Sequence, residues 1–228
     1  MPFLFFDSTM ILLIPAAILA IWAQMRVKST FRKYAKVPAA YGMTGAEVAR
    51  KLLEAKGLFH VKLESVPGQL SDHYDPRSKT LRLSSDIANG RSVAALSVAA
   101  HEVGHAIQDD LAYASFKLRQ SIVPVANIGS QASLPVFFIG MLMSSPKLMD
   151  LGIILFSGAV LFQLITLPVE FNASSRALVL LEERGYLMQQ EVGHAKKVLS
   201  AAALTYVAAT AMALMHLIRL LVLRDSRD

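Results

Sequence analysis

The chain has 228 residues, of which 54% are hydrophobic and only 18% are charged, and its formal net charge is +6. Soluble globular proteins are about 25% charged and less apolar, so this composition indicates membrane segments. The chain contains no cysteine. This excludes disulfides and thiolate-bound metals, so any metal ligand must be His, Asp or Glu. The basic residues form no run interleaved with aromatics, and we expect no nucleic-acid partner.

Four stretches are long and apolar enough to cross a bilayer as helices, which takes roughly 20 residues. They cover about residues 3–23, 122–143, 149–169 and 198–223. Only Ser144–Leu148 separates the second stretch from the third, which predicts a tight membrane hairpin. The first stretch has no basic segment before it and no clear cleavage site after it, so we interpret it as an uncleaved anchor.

The segment between the first two stretches is predicted to be a small α+β unit. A capping box of Thr44 and Glu47 marks a helix start, and apolar–polar alternation marks a half-buried strand. The expected elements, in chain order, are a helix from Thr44 to Gly57, a strand over Val61–Val66, a loop over Asp72–Pro76, a strand over Thr80–Leu83 and a helix from Ser92 to about Asp109.

The last of these helices carries the run HEVGHAIQ. His101 and His105 are four residues apart, so their side chains lie on one face of a helix and can reach one metal ion. Glu102 is offset around the helix and is placed to act as a general base beside the metal. This is the logic of the HExxH zinc peptidase motif. Gly104 costs about 1 kcal/mol in a helix interior, and close backbone packing near the site would explain it.

A catalytic zinc ion takes three protein ligands and keeps one position open. Glu170 is the best candidate for the third ligand, because it is the one acidic residue between Asp150 and Glu182. It is expected to open a second helix, Val169–Ala177, where the third apolar stretch leaves the membrane. The alternative is an ordinary acidic residue at a helix N-terminus, which the helix dipole favours.

Basic residues set the predicted orientation. Arg26, Lys28, Arg32, Lys33 and Lys36 follow the first span, whereas the hairpin turn carries Lys147 alone. The positive-inside rule then places the α+β unit and Glu170 on the cytoplasmic side. The predicted division of the chain is an N-terminal anchor (1–25), an α+β unit with the motif (26–121), a transmembrane hairpin (122–169), a helix with Glu170 (170–197) and a C-terminal transmembrane helix and tail (198–228).

These segments together resemble a known family, the bacterial membrane zinc metallopeptidases typified by the YugP-like proteins. The resemblance covers the chain from about Thr44 to Ala209. It is carried by Ser71–Pro76, by Ser92–Ala95 leading into Ala100–Gln108, by Leu167–Phe171 and by Val198–Val207. It implies a mainly α membrane protein with about four transmembrane helices and a small zincin-like catalytic unit. It also implies a gluzincin-type site that holds one zinc ion through His101, His105 and a downstream Glu.

The chain is also distantly similar to membrane peptidases of the HtpX/Ste24 class, in which a Glu-x-x-x-Asp helix supplies the third ligand. Glu170 matches that ligand. Position 174 is Ser where this class has Asp, and Asn172 stands where an Asp is expected in the closer family. Neither departure changes the ligands themselves. Both affect the residues that are expected to hydrogen-bond to the ligands.

The sequence therefore predicts a zinc endopeptidase in the bacterial plasma membrane, with its site at the cytoplasmic face and with proteins or peptides, some membrane-bound, as substrates. The lipid bilayer is the other expected partner. The alternative is a catalytically inactive zinc-binding scaffold or adaptor, although an intact Glu102 favours the enzyme. A lipid-embedded site is disfavoured because Asp109 and Asp110 follow the motif directly. Candidate cleft residues or oxyanion donors are His73, Tyr74, Arg176 and Tyr206.

Overall fold

A computed structural model describes residues 7–68 and 71–226 of the chain. After a 3₁₀ turn (Ser8–Leu13), the described elements are, in chain order, α1 (Ile14–Tyr34), α2 (Gly45–Ala55), β1 (Lys62–Val66), β2 (His73–Asp75), β3 (Thr80–Ser84), α3 (Ser85–Ala88), α4 (Val93–Asp110), α5 (Ala114–Leu142), α6 (Pro146–Glu183) and α7 (Gln189–Asp225). They form two compact units. Among the described residues, the helical unit comprises 7–24, 117–168 and 205–226, and the mixed unit comprises 25–116 and 169–204.

Within the described part of the chain, four helical segments are long and apolar enough to cross a membrane. They are Ser8–Tyr34, α5, α6 and α7, which contain 18-residue stretches with mean hydropathies of 1.9, 1.5, 2.1 and 1.8, respectively. Together with a three-stranded sheet, they confirm the expected mainly α membrane protein with a small α+β unit. The first predicted span began at residue 3, so its start lies outside the described residues.

Helix α6 is much longer than the predicted third span. It runs without a break for 38 residues and contains Pro168 in its interior. The prediction that Glu170 opens a separate helix is therefore wrong. Proline removes one backbone hydrogen bond, but neighbouring helices in a membrane protein allow a long helix to continue through it. Glu170 thus lies in mid-helix, and a helix N-terminus does not explain its presence.

The helical unit is held together by an apolar cluster and a buried ion pair. Phe137 of α5, Met149 of α6 and Leu220 of α7 belong to one buried cluster. Arg219 of α7 donates from Nη2 to Asp7 Oδ2 at 2.8 Å, and 7% of the arginine side chain is exposed. This pair fixes the start of the first span to the end of the last one.

The mixed unit is built around strand β3, which lies between β1 and β2. β1 runs parallel to β3 with Lys62 opposite Thr80. Leu81 and Leu83 of β3 are fully buried in one core with residues of α2 and α4. The capping box of Thr44 and Glu47 at the start of α2 is present, as predicted. The predicted strands at 61–66 and 80–83 and the predicted helix at 92–109 are confirmed as β1, β3 and α4.

One short strand was not expected. β2 pairs antiparallel with β3, with His73 opposite Arg82 and Asp75 opposite Thr80. Asp72 fixes the start of this strand, because its Oδ1 accepts a hydrogen bond from the Ser84 backbone N–H at 2.7 Å. The prediction of a loop over Asp72–Pro76 is therefore wrong: pairing with a neighbouring strand outweighs the turn-forming character of the local sequence.

Candidate metal centre

Helix α4 places two imidazole rings side by side. Its start is capped by Ser92, whose side chain accepts from the Ala95 backbone N–H. The ring centroids of His101 and His105 are 4.8 Å apart, and the rings stand at 86° to each other. Phe116 packs beside His105 with a centroid separation of 6.1 Å. The predicted four-residue spacing therefore brings both rings to one face, where two nitrogens can point at a common centre.

Gly104 allows α6 to approach α4 closely. A Cβ atom at Gly104 would lie 2.7 Å from the backbone oxygen of Ala173 and 3.1 Å from its Cα. Carbon and oxygen atoms that are not bonded to each other do not come this close, so a side chain larger than hydrogen does not fit there. The glycine in the motif is thus explained by helix packing, as its cost in a helix interior suggested.

This close approach brings Glu170 of α6 to the two histidines. Its Oε2 atom lies 3.2 Å from His101 Nε2 and 3.6 Å from His105 Nε2, and the residue is only 3% exposed. One ligand atom from each of the three residues lies within 4.8 Å of the others. Two imidazole nitrogens and a carboxylate are a donor set that suits zinc. The structure thus brings together the three residues predicted from the sequence, although Glu170 lies 69 residues after His101 in the chain.

The far side of each ring is also occupied. His101 Nδ1 lies 3.1 Å from Ser174 Oγ, and His105 Nδ1 lies 3.0 Å from Gln108 Oε1. Metal-binding histidines usually have such a partner, which fixes the ring orientation and the tautomer. Ser174 therefore provides such a contact to His101.

Sequence reasoning missed Gln108, although it follows His105 by three residues and so lies on the same helix face. It is fully buried. Its Nε2 donates to the Val169 carbonyl at 2.8 Å and to Asn172 Oδ1 at 3.0 Å. Asn172 Oδ1 also accepts from Arg176 Nε at 2.8 Å. Asn172 thus accepts a hydrogen bond from Gln108, which in turn contacts His105. It does so with an amide group where a carboxylate was expected.

Glu102 directly follows His101 in α4 and is itself buried, with 8% of its surface exposed. Burial raises the pKa of its carboxyl group to about 7, and the charges of Glu170 and Asp72 act in the same direction, while His101 and His73 oppose them. No hydrogen bond to this carboxyl group is present among the described residues. A buried carboxyl group with a raised pKa and a free oxygen suits general acid–base chemistry.

The four residues named as cleft or oxyanion candidates lie in different surroundings. His73 is exposed on β2, and its charge acts on Glu102. The Tyr74 hydroxyl donates to Asp109 Oδ2 at 2.8 Å, and burial raises its pKa. Arg176 donates to Asn172, and Tyr206 belongs to the helical unit. Their part in oxyanion binding stays a prediction.

Comparison with known proteins agrees with this geometry. Residues 9–225 match the family described as "Putative neutral zinc metallopeptidase". The chain is 51% identical over 218 residues to "Putative membrane protease YugP" of Bacillus subtilis (strain 168), covering 95% of this chain and 97% of that protein. No solved structure matches the chain. The family match extends over nearly the whole length, so this chain belongs to the family described as "Putative neutral zinc metallopeptidase".

Proposed function

We propose that this protein is a zinc-dependent endopeptidase that cleaves proteins or peptides at the cytoplasmic face of the bacterial plasma membrane, with one zinc ion at His101, His105 and Glu170. One observation carries the proposal: Nε2 of both histidines and Oε2 of Glu170 converge, and Glu102, which directly follows His101, has a buried carboxyl group with no hydrogen bond among the described residues. A structural zinc site has no use for such a group, whereas a hydrolytic site needs a base beside the metal.

The residues of the chain divide the chemistry among them. When bound, a zinc ion supplies a Lewis acid that activates water and polarises the scissile carbonyl group. Glu102 accepts the proton of the attacking water and returns a proton to the departing amine. Burial raises the pKa of this carboxyl group, which suits a group that both accepts and returns a proton. Glu170, His101 and His105 would hold the metal ion.

Strand β2 offers a place for an extended peptide. It lies at one edge of the sheet, with β3 on its other side. The Tyr74 hydroxyl of this strand donates to Asp109 of α4 at 2.8 Å, so the strand packs against the helix that carries Glu102. An edge strand can pair with a peptide backbone through main-chain hydrogen bonds. This supports a substrate that is bound in extended form, with little dependence on its sequence.

Two features support a site near the membrane surface on the cytoplasmic side. Glu170 follows Pro168 by two residues in α6, directly after the apolar part of that helix. The end of α1 carries exposed Arg26, Lys28 and Arg32, as the positive-inside rule expects for a cytoplasmic segment. Because the chain has no cysteine, single cysteines at exposed Lys56 and Lys147 test this directly. A membrane-impermeant thiol reagent added to intact cells should label Lys147→Cys and not Lys56→Cys; the reverse pattern would contradict the orientation.

The test of the reaction is Glu102→Gln in purified, detergent-solubilised protein. Zinc content should stay at the wild-type level, and casein cleavage should fall about 100- to 10,000-fold, the usual contribution of a general base. Glu54→Gln, an exposed change at the end of α2, is the matched control and should keep full activity. If the wild type binds zinc and cleaves neither casein nor detergent-solubilised membrane proteins, the result favours a non-catalytic zinc-binding scaffold over a peptidase.

A further inference from the structure

The buried side chain of Gln108 makes hydrogen bonds in two directions. Its Oε1 faces His105 Nδ1 at 3.0 Å, and its Nε2 faces the Val169 carbonyl oxygen and Asn172 Oδ1 at 2.8 and 3.0 Å. It is fully buried, so water does not replace any of these partners. An amide side chain has one accepting end and one donating end. Which end faces the histidine therefore decides where the proton of the imidazole lies.

Two groups of fixed polarity settle the direction. The guanidinium of Arg176 can only donate, so Asn172 Oδ1, which lies 2.8 Å from Arg176 Nε, is held as an acceptor. The carbonyl oxygen of Val169 can only accept. Both acceptors face the same end of Gln108, and that end must be its NH₂ group. A flipped amide would place its oxygen against two other oxygens in a buried site, which is costly.

It follows that Gln108 turns its oxygen toward His105. Nδ1 of His105 then carries the proton and donates it to Gln108 Oε1, and Nε2 keeps its lone pair. Nε2 is the nitrogen that lies 3.6 Å from Glu170 Oε2, on the side where the three candidate ligands converge. We infer that Gln108 is a positioning residue that fixes the metal-binding tautomer of His105, through a chain of hydrogen bonds that begins at Arg176.

This inference rests on the metal site of the proposed function but not on peptidase activity. A buried glutamine that only fills space and joins α4 to α6 would also stabilise the fold. The two roles differ in what they do to zinc. A residue that merely joins the helices changes zinc affinity only as far as it changes stability, whereas a tautomer-fixing acceptor changes zinc affinity independently.

Gln108→Met and Gln108→Glu separate the two roles. Methionine keeps the volume and removes all three hydrogen bonds. Glutamate keeps an acceptor toward His105 but turns a negatively charged oxygen toward the Val169 carbonyl and Asn172, so this variant should unfold at a lower temperature. Gln190→Met, an exposed glutamine of α7 in the same mixed unit, is the matched control. Zinc dissociation constants are measured by competition with a chromophoric chelator, and thermal unfolding is followed without zinc.

We expect Gln108→Met to bind zinc about 10- to 100-fold more weakly than the wild type, the usual cost of losing such a partner. Gln108→Glu should bind zinc more tightly than Gln108→Met although it is the less stable of the two. Gln190→Met should match the wild type. Equal zinc affinity of Gln108→Met and the wild type overturns the inference, and so does an affinity that merely follows stability. A wild type that binds no zinc overturns the proposed metal site itself, which is a separate outcome.

A second measurement needs no change at position 108. In zinc-loaded protein labelled with ¹⁵N-histidine, long-range nitrogen–proton spectra show which ring nitrogen carries the proton, and His105→Asn assigns the signal. The expected result is a protonated Nδ1 and a metal-shifted Nε2. Protonated Nε2 with metal on Nδ1 would overturn the inference even if every Gln108 variant failed to fold.

Discussion

Replacing Gly104 with alanine is expected to weaken zinc binding, because the added Cβ would lie 2.7 Å from the Ala173 backbone oxygen. An ordinary contact begins at 3.4 Å, so α4 and α6 must separate there by about 0.7 Å. Glu170 lies three residues from Ala173 on α6, and metal–ligand distances tolerate shifts of only about 0.2 Å. To bring the three ligands to zinc, α4 and α6 must therefore return to the separation at which the added Cβ clashes with Ala173.

The size of the effect follows from this competition. Overpacking a filled site costs about 1–3 kcal/mol, which corresponds to about a 5- to 150-fold loss of zinc affinity if it falls wholly on binding. Without a clash, the exchange would instead stabilise the helix by about 1 kcal/mol, because glycine is a poor helix former. A clash therefore predicts weaker zinc binding, whereas the absence of a clash predicts a more stable helix without that loss. The experiment distinguishes these two outcomes.

The chain contains its own control. Glu191–Ala195 repeats the sequence of Glu102–Ala106, and a Cβ at Gly193 would meet nothing within 4 Å. Gly193→Ala should raise the unfolding temperature and leave zinc affinity unchanged. Zinc affinity is measured by chelator competition, and stability by thermal unfolding in detergent. If Gly104→Ala behaves like Gly193→Ala in both assays, the close approach of α4 and α6 is refuted.

Three further predictions test other contacts. Glu170→Ala should lower zinc affinity by more than the roughly 10- to 100-fold that loss of an outer partner costs; unchanged affinity in chelator competition would remove it as a ligand. Asp7→Asn should lower the free energy of unfolding by about 1.5–3 kcal/mol, because Arg219 loses a charged hydrogen-bond partner; equal thermal unfolding would show that the pair contributes nothing. Thr44→Ala should cost about 1 kcal/mol through loss of the helix cap, while Thr44→Ser should not, and equal stability of the two would contradict a capping role.

The parts of the fold that depend on near neighbours in sequence could be predicted. The spacing of His101 and His105 fixes their common helix face whatever the rest of the chain does. The capping box at Thr44 is likewise local. Membrane spans follow from runs of apolar residues, and Glu170 could be named because few ionisable residues occur near it.

Features that depend on distant partners could not be predicted. The strand at His73–Asp75 exists because β3 pairs with it, and nothing within those three residues shows this. The continuation of α6 through Pro168 could not be predicted either, because proline usually ends or kinks a helix. The contact of Ser174 with His101 joins residues 73 positions apart. From the sequence, Ser174 could only be described as replacing an expected Asp. The structure shows that its hydroxyl group contacts His101 Nδ1.

The 69-residue separation between His101 and Glu170 has a consequence for biosynthesis. The ribosome synthesises His101, Glu102 and His105 before Glu170, and the segment between them contains α5 and the apolar part of α6. The donor set is therefore incomplete throughout synthesis of the hairpin. A chain that stalls before residue 170 carries the two histidines without Glu170, so truncated products should lack a complete candidate metal site.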